Sequence, residues 1–328
     1  TAKVFRMSAF GWDGRDAVGF MRSAWSAEAS GANGTEAWLA FKAANGVPNH
    51  NDLDGGSFVY EVGGERWAVD LGADTYGLPD YFTQSVAHRY GFYRKSTAGH
   101  NTLTFNNDND DNSNRGASDQ DPSLDGITEI SLFKVEHGAG ARGKGVAAAS
   151  PAYAIVDLTA AYAKQGASRV QRGFAFTARY ETLLIVDEFE FERAAQAAAV
   201  TNVTWAMHTL AEIEVAERAR GAASPAVGGA AARLSMGSAQ LHVRVVEPSA
   251  LHDIGAVLRA TSVKLLPPQN PSEGLRKLVL HVPLSSSERT TRRIVVALST
   301  NATALAALTR PLGEWGQSGP FASDAESL

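Results

Sequence analysis

The sequence predicts an all-β fold, a large antiparallel sandwich of two stacked sheets. Three observations predict it. From residue 127 onward, short runs of apolar and β-branched residues recur at the spacing of sandwich strands. Gly, Pro, Ala and Ser fill the linkers between those runs. No series of long amphipathic helices occurs anywhere in the chain.

Taken in order, residues 1–30 mix short apolar runs with glycine turns, and Arg22 and Trp25 fall in an expected strand. Residues 37–44 (AWLAFKAA) have the composition of a helical turn. Their aromatics and the Gly46-Val47-Pro48 stop instead predict a strand running into a loop at His50. Residues 57–62 (SFVYEV) alternate, Gly63-Gly64 makes a two-residue turn, and residues 65–71 (ERWAVDL) return as the partner strand. Alternation puts Trp67, Val69 and Leu71 on one face and Ala68 and Asp70 on the other. Residues 72–94 form a long irregular excursion rich in Tyr, Asp and Gly, a kind of segment that often carries function.

Residues 102–105 start another strand. The acidic stretch 106–123 alternates Asp108, Asp110 and Asn112 as a calcium loop does. Ser113 stands where that loop needs glycine and no glutamate closes it, so a solvated loop is expected. Further strands are expected over 127–136, 153–162, 168–177, 182–191, 200–209, 211–217, 231–236, 239–247, 275–284 and 292–300. Alanine-rich patches at 146–152 and 219–232 are broken by Gly or Pro and read as loops, while 194–199 stays open between helix and loop. Residues 1–309 are expected to form the sandwich and 310–328 a frayed tail.

The bulk numbers exclude several classes. A net charge of −5 and a pI of about 5.9 argue against a nucleic-acid binder, which needs a clustered basic face. The absence of cysteine excludes disulfides, zinc knuckles and thiol nucleophiles. No apolar run is long enough to span a bilayer as a helix. The opening, TAKVFRMSAF, is neither a signal peptide nor an initiating methionine, and is expected to be a cut within a longer chain.

Chemistry concentrates between His50 and His100, where His50, Asp52, Asp54, Asp70, Asp74 and His100 stand among short strands and glycine turns. Imidazole and carboxylate together can bind zinc. On an extended segment, His50 and Asp52 project to one face, while Asp70 arrives on a hairpin strand and His100 from farther away. The alternative is that Asp52 and Asp54 cap turns and His100 satisfies a buried carbonyl. Arg94 can contact an anionic sugar or pair with Asp70, Asp74 or Asp80. Asn101 can orient His100 or the substrate, or form a turn. Arg22 reads as structural and His208 as a satisfied core histidine.

Three strings carry a resemblance: HNDLDGGSF from His50, GERWAVDLGADTY from Gly64, and YRKSTAGHNTL from Tyr93. Their order, intervals and flanking glycines resemble the β-sandwich portion of the heparinase II/III-like polysaccharide lyases. Weaker matches are DLTAAY at 157–162, RGF at 172–174, LLIVDE at 183–188 and WAMHT at 205–209. The resemblance covers most of the chain, and its specific part is residues 38–104.

The resemblance implies a carbon-oxygen lyase that cleaves acidic, uronate-containing polysaccharide by β-elimination. It implies an α/α toroid ahead of the sandwich, with the active site in the cleft between them. On this chain, His50 falls on the cleft histidine that takes part in acid/base work. Asp52, Asp70 and His100 fall on the metal position. The family's first ligand there can be histidine; the harder Asp52 keeps zinc as the expected ion and leaves another divalent ion open. Arg94 and Asn101 become expected substrate contacts. The family's catalytic tyrosine, and the side chain that faces the substrate carboxylate, belong to the toroid, and none of Tyr76, Tyr81 and Tyr93 matches that tyrosine's position. A periplasmic or secreted location follows from the resemblance. Two competitors stay open. One is a non-catalytic carbohydrate-binding sandwich with exposed Tyr76, Tyr81, Phe82, Tyr90 and Tyr93. The other is a hydrolase using Asp52 and Asp54.

Overall fold

The structure is a computed structural model. It describes residues 17–22, 36–43, 50–106, 119–123, 128–135, 152–177, 182–191, 200–216, 230–249, 251, 253–265, 267–284, 292–304 and 309–321. Trp25, the Gly46-Val47-Pro48 stop, most of the calcium-like loop and most of the alanine-rich patches lie outside the described residues.

The fold is an all-β sandwich. Its strands are β1 (Val18–Arg22), β2 (Ala37–Lys42), β3 (Phe58–Val62), β4 (Glu65–Ala68), β5 (Leu103–Phe105), β6 (Glu129–Val135), β7 (Ala152–Asp157) and β8 (Ala167–Phe176). They continue as β9 (Thr182–Phe191), β10 (Asn202–Thr209), β11 (Glu212–Val215), β12 (Ala231–Met236), β13 (Ala239–Glu247), β14 (Val257–Ser262), β15 (Arg276–Pro283) and β16 (Arg292–Ser299). The α-helices among the described residues are single turns: α1 (Val86–Arg89), α2 (Thr159–Tyr162) and α3 (Trp315–Ser318). None is long and apolar enough to cross a membrane.

One layer is an eight-stranded sheet in the order β11-β12-β13-β16-β9-β8-β7-β6. The other layer consists of two four-stranded sheets, β1-β2-β3-β4 and β14-β15-β10-β5. The two small sheets meet where the Val69 N–H, just past β4, donates to the His208 carbonyl of β10 at 3.0 Å. Phe41 and Phe58 on the first small sheet pack on Phe174 of β8, with ring centroids 4.7 and 5.9 Å apart. Phe105 of β5 lies 6.2 Å from Phe189 of β9. A single buried cluster thus runs between the layers, with Leu39, Tyr60, Trp205, Leu280, Val243 and Ile185 drawn from all three sheets. Each aromatic removed from water in this way contributes roughly 1.5–3 kcal/mol before entropy is counted.

The hairpin turn at Gly63-Gly64 has positive φ at both residues, 66° and 82°. That backbone favours glycine and matches the twist of the flanking strands.

The structure departs from the sequence reading in four places. β4 ends at Ala68, so Asp70 lies just past the hairpin strand and not on it. Residues 159–162 turn into α2 instead of extending β7, and β14 was not expected. Within the segment expected to fray, the described residues 310–321 dock instead. Leu312, Trp315 and Phe321 cover Tyr153, Ile155, Leu184 and Val186 on the outer face of the large sheet. Gly173 lies directly beneath, where a Cβ would stand 2.4 Å from Leu312 Cδ2 and 2.7 Å from a Trp315 ring carbon. This second cover explains the nearly unbroken buried run of β9, TLLIVDEF, since both of its faces are packed.

Candidate metal and acid/base site

The site is built on the loop that feeds β3. In Asp54-Gly55-Gly56, Gly56 has φ +80° and its Cα faces Leu158, where a Cβ would lie 2.8 Å from a methyl carbon. Glycine is therefore required for both conformation and space. The loop is held at every step. Leu53 N–H donates to the Lys95 carbonyl at 2.9 Å and Gly56 N–H to the Lys42 carbonyl at 2.8 Å. Gln120 clasps Gly55, accepting its N–H at 2.9 Å and donating to its carbonyl at 2.7 Å. Arg172, from the opposite layer, donates to the Gly56 carbonyl at 2.9 Å and to the Asn101 carbonyl at 2.6 Å.

His100 approaches from the turn after residues 97–99. Gly99 makes that turn possible, because a Cβ there would lie 1.9 Å from the Tyr93 carbonyl oxygen. His100 is buried, and its Nδ1 lies 2.8 Å from Asp70 Oδ2. Its Nε2 is buried without a hydrogen-bond partner, as is Oδ1 of Asp54. Asp52, Asp54 and His100 each offer one ligand atom, and these atoms lie within 4.8 Å of one another. Two lysines press on the same carboxylates: Lys42 Nζ lies 2.8 Å from Asp54 Oδ2 and Lys95 Nζ 3.1 Å from Asp52 Oδ1.

Burial opposes charge on His100. The Asp70 charge and hydrogen bond outweigh it, with Asp54 and Asp52 adding to them, and raise the imidazolium to about 9. Burial likewise opposes charge on Asp70, but His100 and the Gly72 N–H hold its carboxyl well below the usual range. Burial pushes Asp54 up against the pull of Lys42.

The residues present fit a cation. His100 and Asp54 each carry an orphaned buried donor atom, and the two residues converge with a second carboxylate, Asp52, the donor chemistry that a divalent ion takes. The hydrolase reading needs two carboxylates free to flank a sugar, and lysines engage both Asp52 and Asp54.

His50 stands apart from this cluster. It is exposed, with its ring 5.1 Å from Phe82 and 5.6 Å from Tyr76. Tyr76 is 58% exposed and meets Phe82 edge-on at 4.9 Å. The excursion over residues 72–94 thus folds back to lay aromatic rings beside His50. Of the other tyrosines considered for an exposed surface, Tyr81, Tyr90 and Tyr93 are buried. Lys95 joins the two regions, since its ammonium lies 4.3 Å over the Tyr81 ring and 5.2 Å over the Phe82 ring.

Arg94 and Asn101 both point into the protein. Arg94 donates to the Leu71 carbonyl at 2.6 Å and to Ser272 Oγ at 2.8 Å, and lies 3.4 Å from Asp74. Asn101 is fully buried; its amide donates to the Phe58 and Val69 carbonyls at 2.8 and 2.9 Å. Its Oδ1 accepts the His208 backbone N–H at 2.6 Å and His208 Nδ1–H at 3.0 Å. With its proton on Nδ1, His208 accepts the Tyr93 hydroxyl at Nε2, 2.8 Å away. Burial, together with Lys277 and His100, keeps this imidazole neutral, well below its ordinary value.

The sequence reading names Asp54 within the cluster at 50–100 but not among the metal ligands, and it does not name Lys42 or Lys95. The i, i+2, i+4 spacing of His50, Asp52 and Asp54 was the available signal for the first. The lysines gave none, because their partners are brought in by tertiary packing.

The comparisons with known proteins agree with this architecture. A family model described as "Heparinase II/III-like, C-terminal" matches residues 16–294. Among solved structures, the chain is similar to the heparan sulfate lyase HepC from Pedobacter heparinus, with a TM-score of 0.54 at 14% identity over 87% of this chain and 35% of that one. It is also similar to the heparinase III-BT4657 gene product with methylated lysines, with a TM-score of 0.54 at 11% identity over 92% of this chain and 38% of that one. At such identity the likeness shows the fold. The chain spans little more than a third of either protein's length. No curated protein sequence matches it.

Proposed function

The chain belongs to the heparinase II/III-like family through its C-terminal domain, and on that premise we propose that it is the sandwich part of a lyase that cleaves uronate-containing polysaccharide by β-elimination. The observation that supports this most is a division of labour on one loop. His50 faces outward beside Tyr76 and Phe82, while Asp52 and Asp54, two and four residues on, turn toward buried His100.

In the elimination, a base takes the proton from C5 of the uronate, the C4–O4 bond breaks, and a C4=C5 double bond forms. The departing O4 takes up a proton. His50 is assigned to this proton traffic, as acid or base beside C4 and C5. Tyr76 and Phe82 offer faces for the sugar rings. By resemblance the metal position takes Asp52, Asp70 and His100, with zinc as the first candidate ion, and Asp54 stands beside Asp52 and His100 within ligand distance. The ion would supply a rigid tie between the loop that carries His50 and the turn that carries His100. Arg94 and Asn101 enter as the residues that hold those loops, since their polar atoms are engaged by protein groups.

The tyrosine and the group that faces the substrate carboxylate would come from a helical toroid. A periplasmic or extracellular setting suits a polymeric acidic substrate. The test is the ultraviolet absorbance of unsaturated uronate when a polypeptide joining this chain to such a toroid meets a uronate polymer. No rise in absorbance would refute the lyase reading. Exposure of Tyr76 favours a second reading, a non-catalytic carbohydrate-binding sandwich. Binding of the polymer with no unsaturated product would support it.

A further inference from the structure

We infer that the sugar unit the sandwich takes beside His50 carries no sulfate ester, so that the substrate is an unsulfated uronate polymer. The inference rests on the lyase reading above and deepens it by naming the class of polymer.

A sulfate ester is a permanent anion, and a protein that selects it offers arginine or lysine with donors to spare. Residues 50–106 hold four such side chains, Arg66, Arg89, Arg94 and Lys95. Arg89, Arg94 and Lys95 are buried. Arg94 commits its donors to the Leu71 carbonyl and Ser272 Oγ and lies 3.4 Å from Asp74. Lys95 faces Asp52 at 3.1 Å, with its ammonium over the Tyr81 and Phe82 rings. The Arg89 guanidinium lies 5.4 Å from the centre of the Tyr90 ring. Arg66, exposed on β4, pairs with Glu61 at 2.5 Å. Lys42, which enters from β2, is held by Asp54 at 2.8 Å. The cations of this region are therefore engaged by protein groups.

What the excursion over residues 72–94 presents beside His50 is aromatic. Tyr76 is 58% exposed, and its ring stands 5.6 Å from the His50 ring and 4.9 Å from that of Phe82. Such faces suit the C–H face of a sugar ring. An ester group against them would lose its hydration without a cation to replace it. Asp80, two residues before Phe82, adds an exposed carboxylate to the same excursion, with the His88 imidazole 3.9 Å away. It repels a sulfate. The uronate's own carboxylate escapes this penalty, because in the lyase reading it is met from the toroid side.

The test is an NMR titration of the chain, read at the ring signals of His50 and Tyr76. Two unsulfated oligosaccharides, one alternating glucuronate with N-acetylglucosamine and one of mannuronate, are compared with their sulfated forms at equal length. The better-bound unsulfated one is expected to shift both rings and to bind about 10-fold or more tightly than its sulfated form. Tyr76→Ala, at an exposed position, is expected to weaken that binding by about 5-fold or more with an unchanged melting temperature. Equal or tighter binding of the sulfated form overturns the inference, and so does binding of none of the four. The same oligosaccharides given to a polypeptide joining this chain to a helical toroid separate this failure from that of the lyase reading. Unsaturated product formed as fast or faster from a sulfated form overturns the inference and leaves the lyase reading standing. Product from none of them defeats both.

Discussion

Arg172 and Asp187 meet through two parallel bonds inside the large sheet, Nε to Oδ1 at 2.7 Å and Nη2 to Oδ2 at 2.9 Å. Both side chains are fully buried. The remaining guanidinium nitrogen crosses the sandwich to the carbonyls of Gly56 and Asn101, which flank the site. The pair therefore joins the scaffold to the loop that carries Asp52 and Asp54.

Removing Arg172 leaves an unpaired buried carboxylate and two orphaned carbonyls. Arg172→Met is expected to cost about 3–5 kcal/mol, read by urea denaturation. Arg172→Met with Asp187→Leu should recover part of that loss, because no charge is then stranded. An additive double variant would contradict the coupling.

Asn101→Asp tests the stitch between the two small sheets. A carboxylate cannot donate to the Phe58 and Val69 carbonyls, so two buried acceptors lose their partners. Stability is expected to fall by about 2–4 kcal/mol. Faster amide exchange should appear at Val69 and His208, where the sheets meet.

Trp315→Ala uncovers the outer face of the large sheet. The side chain is fully buried against Tyr153, with ring centroids 6.0 Å apart. A loss of about 3–5 kcal/mol is expected in denaturant. A frayed tail would predict no change.

Asp119 sets a pH dependence. Burial raises its carboxyl from 3.8 to about 6, against the Phe105 N–H that it accepts. The folded state therefore holds a proton that the unfolded state has already released between those two values. This group's contribution favours folding at the acid end of that window and is lost as pH rises through about 6. Asp119→Asn keeps an acceptor for Phe105 and removes the titration. At pH 7 the variant should melt higher than the parent, and the gap should close toward pH 4. A gap that is constant with pH would contradict the burial of this carboxyl.

Much of the fold was legible because strand signals are local. Residues 182–191, 231–236 and 239–247 were expected as strands and are β9, β12 and β13 with the same ends. β14, VLRATS, escaped because its pattern mixes polar residues on both faces at an edge of its sheet. The docking of Trp315 depends on a hole above Gly173 in a strand more than a hundred residues earlier, which no local pattern records. The same holds at the site. The spacing of His50, Asp52 and Asp54 could be seen, but the groups that meet them, Phe82 for His50, Lys95 for Asp52 and Lys42 for Asp54, arrive from other segments.

The most direct test of the central claim is the rate at which His50→Gln releases unsaturated uronate, in a polypeptide that joins this chain to a helical toroid. The imidazole of His50 is assigned to proton transfer, and because it is exposed its replacement leaves the core packing intact. The variant should keep the parent's melting temperature and lose about 100-fold or more in kcat. An unchanged rate would contradict the role assigned to His50 and, with it, the account of this loop as the sandwich's share of an active site.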